Sequence, residues 1–182
     1  LEELGVKLPV VVKPCSGGSS IGVFIVHTEE EYKNAMEESF KKEDEVVIEP
    51  FIDGREYACG ILDGKALPIV EIIPKDGFFD YINKYQMGGA SEICPAQSLT
   101  AEQTEFIQRA GEKAFSALRL DVYSRADFIV DNHTGDIYCL EVNSLPGMAS
   151  ASLLPKAAKA AGYEYGEFCE LIIKKSIEAR YQ

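Results

Sequence analysis

Hydrophobic and polar positions along the 182-residue chain follow two periods, which predict strands and helices. Apolar runs at 9–13 and 23–26 flank a loop of small residues and predict a β-hairpin. Further strands are predicted at 45–50, 56–62, 66–73, 122–130 and 137–143, and helices at 28–40, 100–119, 155–161 and 164–180. The elements mix without strict β-α-β alternation. The pattern therefore predicts an α+β fold, with mainly antiparallel sheets and flanking helices.

Two irregular segments divide this pattern. Residues 75–98 are rich in glycine and aromatic residues and lack a clear period. Loops of that length in compact domains are usually lids or binding loops, so we expect a lid here. The turn at 53–55 is the expected boundary between two lobes, at 1–54 and 55–182.

Composition narrows the class of protein. Hydrophobic residues make up 46% of the chain and charged residues 26%, which excludes a disordered chain. The net charge of −12 repels the phosphate backbones of nucleic acids, so we expect no nucleic-acid partner. No apolar stretch is long enough to span a bilayer, so we expect no membrane partner either. Five cysteines without close pairing favour reduced thiols and a cytoplasmic protein. The start lacks a signal peptide and suggests a piece of a longer chain.

The strongest chemical pattern spans the two strands predicted at 122–143. Arg125 and Asp127 are two residues apart and share one face of a strand, as do Glu141 and Asn143 on the next strand. A hairpin would place these pairs side by side. Asp, Glu and Asn offer the oxygen ligands that Mg²⁺ prefers beside phosphates, and an arginine suits an anion. The alternative is a solvent-facing polar hairpin with an exposed salt bridge.

Two other segments suit a nucleotide, although each is weak alone. Lys13 ends an apolar strand, and the Gly/Ser loop at 16–22 would let backbone N–H groups approach an anion. A flexible turn is the alternative. The segment 46–56 passes from strand to irregular backbone that could read an adenine edge, with Glu56 accepting from ribose hydroxyls. An ordinary turn between strands is the alternative there.

Taken together, these segments resemble the ATP-grasp fold of the D-alanine–D-alanine ligase family. The matching pieces include LPVVVKPCSGGSSIGV, EVVIEPFIDGREY, the lid sequence FFDYINKY, SRADFIV and LEVNSLPGM, in family order over nearly the whole chain. The resemblance implies that 1–54 belongs to the smaller, central ATP-grasp lobe. It also implies that 55–182 forms the larger carboxy-terminal lobe with the lid at 75–98.

The resemblance also implies a role for each matching position. ATP would be bound by residues of both lobes: Lys13 and Ser20 at the phosphates, Glu49, Pro50, Phe51 and Ile52 at adenine, Glu56 at the ribose and Lys84 at the γ-phosphate. Two Mg²⁺ ions, with Mn²⁺ as an alternative, would be bound by Asp127, Glu141 and Asn143. The residues implied in catalysis are Arg125, Ser19, Tyr85 and Lys84. The residues implied in binding the second amino acid are Ser152, Leu153 and Gly147.

The implied activity joins two D-alanines through an acyl phosphate, for peptidoglycan precursor synthesis. The family's amino-terminal substrate domain has no counterpart in this sequence, so we expect the isolated chain to be inactive. The resemblance separately implies that the parent enzyme is a homodimer. Residues 149–152 read Ala-Ser-Ala-Ser where the family usually has Thr-Ser-His-Ser, which leaves the acceptor open. Alternatives are a sister ligase that uses D-serine, D-lactate or another amino acid as acceptor, another carboxylate-amine ligase, and a non-catalytic nucleotide-binding module.

Overall fold

The computed structural model describes residues 5–16, 21–74 and 90–181. These residues divide into two compact units. The first contains the described residues as far as Ile52, with Pro74 and Ala90, and the second contains Asp53–Ile73 and the described residues from Ser91 onward.

A three-stranded antiparallel sheet forms the first unit. Its strands are β1 (Val10–Pro14), β2 (Phe24–Val26) and β3 (Val46–Pro50), in the order β2-β1-β3. The predicted hairpin is confirmed, since β1 and β2 pair antiparallel. The helix α1 (Glu29–Phe40) packs on this sheet and begins with a capping box formed by Thr28 and Glu31. Phe40 lies at its last turn and is 51% exposed.

A six-stranded sheet forms the second unit. Its strands are β4 (Gly54–Leu62), β5 (Lys65–Ala66), β6 (Val70–Pro74), β7 (Ala90–Ile93), β8 (Tyr123–Asp131) and β9 (Ile137–Asn143). The order is β7-β6-β4-β8-β9, with β5 paired to β4. Three helices accompany this sheet: α2 (Ala101–Ala117), α3 (Leu153–Ala160) and α4 (Tyr165–Arg180).

The central strand β4 is buried on both faces, so its side chains belong to two hydrophobic cores. Tyr57, Cys59 and Ile61 pack with Phe128 of β8 and with residues of α2. Ala58 and Leu62 pack on the other side, against residues of α3 and α4. Successive side chains of a strand point to opposite faces, which explains this division. The unit is therefore a sheet with helices on both faces.

Several element boundaries differ from the sequence prediction, and three of the differences concern a proline or the predicted loop. The strand predicted at 66–73 is two strands, β5 and β6, because Pro68 cannot donate to a ladder. The loop predicted at 75–98 contains β7, which pairs with β6, while 75–89 lie outside the described residues. The helix predicted from 155 begins at Leu153. Proline is tolerated in the first helical turn, so Pro155 did not mark the start.

The described part of the chain contains no helix long and apolar enough to cross a membrane.

Candidate functional site

The polar pairs of β8 and β9 lie opposite each other in the antiparallel ladder. Arg125 pairs with Asn143, and Asp127 pairs with Glu141. Directly opposed residues of neighbouring strands project to the same face of a sheet. The predicted juxtaposition of these four side chains is therefore confirmed.

A dense set of hydrogen bonds joins the four side chains. Arg125 Nε donates to Asp127 Oδ1 and Arg125 Nη2 to Asp127 Oδ2, both at 2.7 Å. Asn143 Nδ2 donates to Asp127 Oδ2 at 3.1 Å and to Glu141 Oε1 at 2.9 Å. The Arg125 and Asp127 side chains are only 15% and 19% exposed, so water screens this pair weakly. We call these four residues the β8–β9 site.

A β-bulge adjoins the site. Asp127 pairs with Glu141, but the next residue, Phe128, pairs with Cys139, so Leu140 is the extra residue of β9. Bulges bend a strand and re-aim side chains, and they are frequent next to active sites. Cys139 and Tyr138 are exposed on β9, the last strand of the described sheet.

The side chains at the β8–β9 site fit a magnesium ion in chemical type. Two carboxylates and an amide supply oxygen ligands, and Mg²⁺ usually takes one or two carboxylates and leaves its other positions to water and phosphate. Among the described residues no cluster of three or more His, Cys, Asp or Glu side chains could hold a metal, so the amide of Asn143 is needed to complete this set. Its NH₂ now points at both carboxylates. Ligation through its oxygen would require the amide to rotate.

Lys13 and Glu49, both implied in nucleotide binding, form an ion pair in the first unit. The distance from Lys13 Nζ to Glu49 Oε2 is 2.8 Å, with 24% and 37% of the side chains exposed. Glu49 lies on β3, one of the two edge strands of the described three-stranded sheet. An edge strand presents unpaired backbone groups that can bind a planar ring edge.

The residues after Glu49 are only partly available for such a contact. Pro50 has no N–H, and the Phe51 N–H donates to the Pro9 carbonyl at 3.1 Å. Ile52 ends the first unit and is half-buried. Any donation to adenine from 50–52 would therefore come from Ile52.

The residues implied in binding the second amino acid lie after β9, where α3 begins. Ser152 is the N-cap of α3, and its side chain makes no capping hydrogen bond. The N–H groups of a first helical turn favour a carboxylate. Gly147 approaches Ser152 closely, because a Cβ at position 147 would lie 3.1 Å from the Ser152 Oγ.

Helix α3 packs on the sheet face that carries the β8–β9 site. In the ladder between β8 and β4, Asp127 pairs with Ala58 and Arg125 pairs with Gly60. These four residues therefore project to one face of the sheet. A Cβ at Gly60 would lie 2.6 Å from the Leu154 Cδ1 of α3. The second unit therefore brings the implied metal ligands and the start of α3 to one face of its sheet.

The remaining predicted site residues lie on β4 or outside the described residues. Glu56 lies on β4 and is half-buried, opposite Ile129 and Ile72. Ser19, Ser20, Lys84 and Tyr85 lie outside the described residues. Their roles, like those of every site residue above, stay predictions.

Two polar contacts near the implied sites were missed by the sequence analysis. Lys156 of α3 forms an ion pair with Glu92 of β7. The Tyr165 hydroxyl donates to the Met148 carbonyl at 2.8 Å, one residue after Gly147. Each joins residues far apart in sequence, and no local spacing indicates such a pair.

Comparison with known proteins identifies the family to which this architecture belongs. The profile of the family described as D-ala D-ala ligase C-terminus matches residues 2–174. The chain belongs to this family. The ATP-grasp fold implied by the resemblance is confirmed, because the ATP-grasp ligases among solved structures match nearly the whole chain.

Individual curated relatives of this family member are themselves named D-alanine–D-alanine ligases. The D-alanine–D-alanine ligase of Citrifermentans bemidjiense is 51% identical over 94% of this chain and 56% of its own length. That of Clostridium beijerinckii is 44% identical over 98% of this chain and 58% of its own length. The chain therefore spans just over half the length of these curated relatives.

Two solved structures illustrate the likeness in three dimensions. The D-alanine–D-alanine ligase of Bacillus anthracis complexed with ATP superposes with a TM-score of 0.81 and 40% identity, covering 99% of this chain and 55% of that chain. The VanG D-Ala:D-Ser ligase of Enterococcus faecalis gives 0.79 and 32%, covering 94% and 50%.

Proposed function

We propose that this chain is the ATP-binding part of a D-alanine–D-alanine ligase that acts in peptidoglycan precursor synthesis. The observation that carries the proposal is the β8–β9 site, a carboxylate pair, an amide and an arginine joined across two strands. Membership of the family and the likeness to a ligase complexed with ATP support the choice of ATP. We further propose a cytoplasmic, homodimeric parent enzyme with D-alanine and ATP as its substrates.

The proposed reaction has two steps. The carboxylate oxygen of one D-alanine attacks the γ-phosphorus of ATP, which gives an acyl phosphate and ADP. The amine of the second D-alanine then attacks the acyl carbon, loses a proton and displaces phosphate. Both steps depend on positioning and on stabilising developing negative charge, and no covalent enzyme intermediate is needed.

The chain's own residues would meet these demands by charge and orientation. Asp127, Glu141 and Asn143 would hold the Mg²⁺, which when bound neutralises phosphate charge. Arg125 is fork-shaped and suits a phosphate or an oxyanion. Lys13 would contact phosphates, and this contact would replace its ion pair with Glu49. Ser152 and the first turn of α3 would hold the carboxylate of the second amino acid.

Glu141→Gln tests the metal assignment. The change keeps the size of the side chain and removes one anionic ligand. Loss of even an outer-shell partner costs about 10–100-fold in metal affinity, so Mg-ATP binding should weaken at least ~10-fold. Calorimetric titration of the chain with Mg-ATP measures this, and dipeptide formation by the parent ligase should fall with it.

Glu170→Gln is the matched control, because Glu170 is an exposed glutamate of α4 that is not one of the four residues of the β8–β9 site. It should bind Mg-ATP as the unchanged chain does. Equal affinity in Glu141→Gln and the control would remove Glu141 from the proposed metal ligands. A folded chain that binds no Mg-ATP at all would favour the non-catalytic module.

A further inference from the structure

We propose that Arg125 is the resident cation of the β8–β9 site before nucleotide binds, and that it competes with a divalent metal ion for the Asp127 carboxylate. The inference rests on the proposed function, since it takes Asp127 as a metal ligand. It adds a second role for Arg125, as a residue that delays metal binding until a phosphate group arrives.

The geometry of the pair carries the inference. Both carboxylate oxygens of Asp127 accept from Arg125, each at 2.7 Å, and Oδ2 also accepts from Asn143 at 3.1 Å. Bidentate pairs of this kind are among the strongest hydrogen-bonded contacts in proteins. The two side chains are more than four-fifths buried, so the pair is held where water competes poorly.

A metal ion at Asp127 would lie close to a charge of its own sign. Mg²⁺ binds carboxylate oxygens at about 2.0–2.1 Å, and both Asp127 oxygens already accept from the Arg125 guanidinium. A guanidinium is always protonated and cannot lose its charge to make room. The metal ion and the Arg125–Asp127 pair should therefore oppose each other.

Asn143 has to change as well. Its NH₂ group donates to both carboxylates, and Mg²⁺ takes oxygen ligands rather than an amide nitrogen. Rotation of the amide by half a turn would present its oxygen to the metal and withdraw its donors. Ligation by Asn143 therefore requires this rotation.

A triphosphate supplies the reason for Arg125 to move. Phosphate oxygens accept the same fork of N–H donors as a carboxylate, so the guanidinium exchanges one anion for another. The metal then takes its place at Asp127. Metal and nucleotide should accordingly bind together, with weak metal binding to the nucleotide-free chain.

Titration of nucleotide-free chain with Mn²⁺, followed by electron paramagnetic resonance, tests the competition. The variants are Arg125→Gln, which removes the cation, and Arg125→Lys, which keeps the charge but cannot fork. Arg109→Gln is the matched control, since it removes an exposed arginine of α2 that pairs with Glu105.

We expect Arg125→Gln to tighten nucleotide-free Mn²⁺ binding at least ~10-fold, the effect of removing a nearby unit charge of the same sign. Arg125→Lys should fall between Arg125→Gln and the unchanged chain, because it keeps the positive charge but cannot make the bidentate contact with Asp127. Arg109→Gln should match the unchanged chain. With ATP present, the advantage of Arg125→Gln should disappear, because the nucleotide then loses a phosphate contact.

Two results would overturn the inference: no tighter Mn²⁺ binding in Arg125→Gln, or equal affinities in Arg125→Lys and the unchanged chain. Should Arg125→Gln fail to fold, Arg125→Lys alone decides. Either of these results with normal Mn-ATP binding would leave the proposed function standing. Absence of Mn²⁺ binding in every variant, with and without ATP, would instead remove the proposed function itself.

Discussion

Glu71 shows how a single buried carboxylate can be accommodated in the sheet. It lies on β6 with 3% of its side chain exposed. The Ser98 hydroxyl donates to it at 2.6 Å, the N–H groups of Gln97 and Ser98 donate at 3.1 and 3.2 Å, and Arg55 Nη1 lies 3.7 Å away. These contacts tie the segment after β7 to β6.

The pKa of Glu71 reflects a contest between burial and these donors. Burial raises the pKa, but the Ser98 and Gln97 hydrogen bonds and the Arg55 charge together bring it below the ordinary value of 4.5. A carboxyl whose pKa is lower in the folded state stabilises the fold above its unfolded pKa. That contribution is lost as the pH falls through the folded pKa.

Glu71→Gln should therefore destabilise the chain, by about 1–3 kcal/mol at pH 7, because an amide NH₂ would face N–H groups that need an acceptor. The deficit should shrink as the pH falls from 4.5 toward the lower pKa of the folded state, because in this range the unfolded carboxylate is protonated before the native one. Urea unfolding between pH 3 and pH 7 measures both.

Glu105→Gln is the control for this change. It removes an exposed partner of Arg109 and should alter stability by less than about 0.5 kcal/mol. A Glu71→Gln deficit that stays constant down to pH 3 would contradict the lowered pKa.

Residues that share a strand face through the two-residue repeat could be predicted from the sequence. Contacts between residues far apart in the sequence could not. Arg125, Asp127, Glu141 and Asn143 follow from the two-residue repeat of adjacent strands. The partners of Glu71 are 26 and 27 positions away, on a segment predicted as loop. A charged residue between the apolar Val70 and Ile72 was the available sign.

At the scale of elements, local signals located the long helices and failed for short strands. The capping boxes at Thr28 and Thr100 both form, because their hydrogen bonds lie within three residues. Strand β7 was missed, since its four residues become a strand by pairing with β6. Strand propensity depends strongly on such neighbours.

Gly54, the first residue of β4, shows how closely β4 and β8 approach. It pairs with Asp131, and a Cβ there would lie 2.4 Å from the Val130 carbonyl oxygen and 2.9 Å from its carbon. Both atoms belong to the backbone, so neither can move without disturbing the ladder. The next residue back, Asp53, accepts through its carbonyl from the Asn132 N–H at 2.9 Å.

Gly54→Ala should destabilise the second unit by roughly 1–3 kcal/mol, as overpacking of a tight site does. Gly166→Ala is the matched control on α4, where a Cβ meets no atom within 4 Å. It should stabilise by up to about 1 kcal/mol, because alanine has the better helix propensity. Chemical unfolding of the three proteins measures this, and equal stability for Gly54→Ala would contradict the contact.

At the scale of the whole molecule, each unit has its own buried cluster, and the second has two. Val10, Val12, Val26 and Ala35 form the core of the first unit. The six-stranded sheet has a cluster on each face. The α+β class and these cores follow from hydrophobic periods. The ATP-grasp fold itself required the resemblance of whole motifs, because periods alone do not fix strand order.

We propose that Asp127, Glu141 and Asn143 bind the metal of a bound nucleotide. A crystal structure of the chain grown with ATP and Mn²⁺, with data collected to locate manganese by anomalous scattering, would show where the metal binds. We expect manganese within about 2.5 Å of Asp127 and Glu141 oxygens, with Arg125 turned from Asp127 toward phosphate. Manganese-bound ATP elsewhere, with the Arg125–Asp127 pair intact, would contradict it.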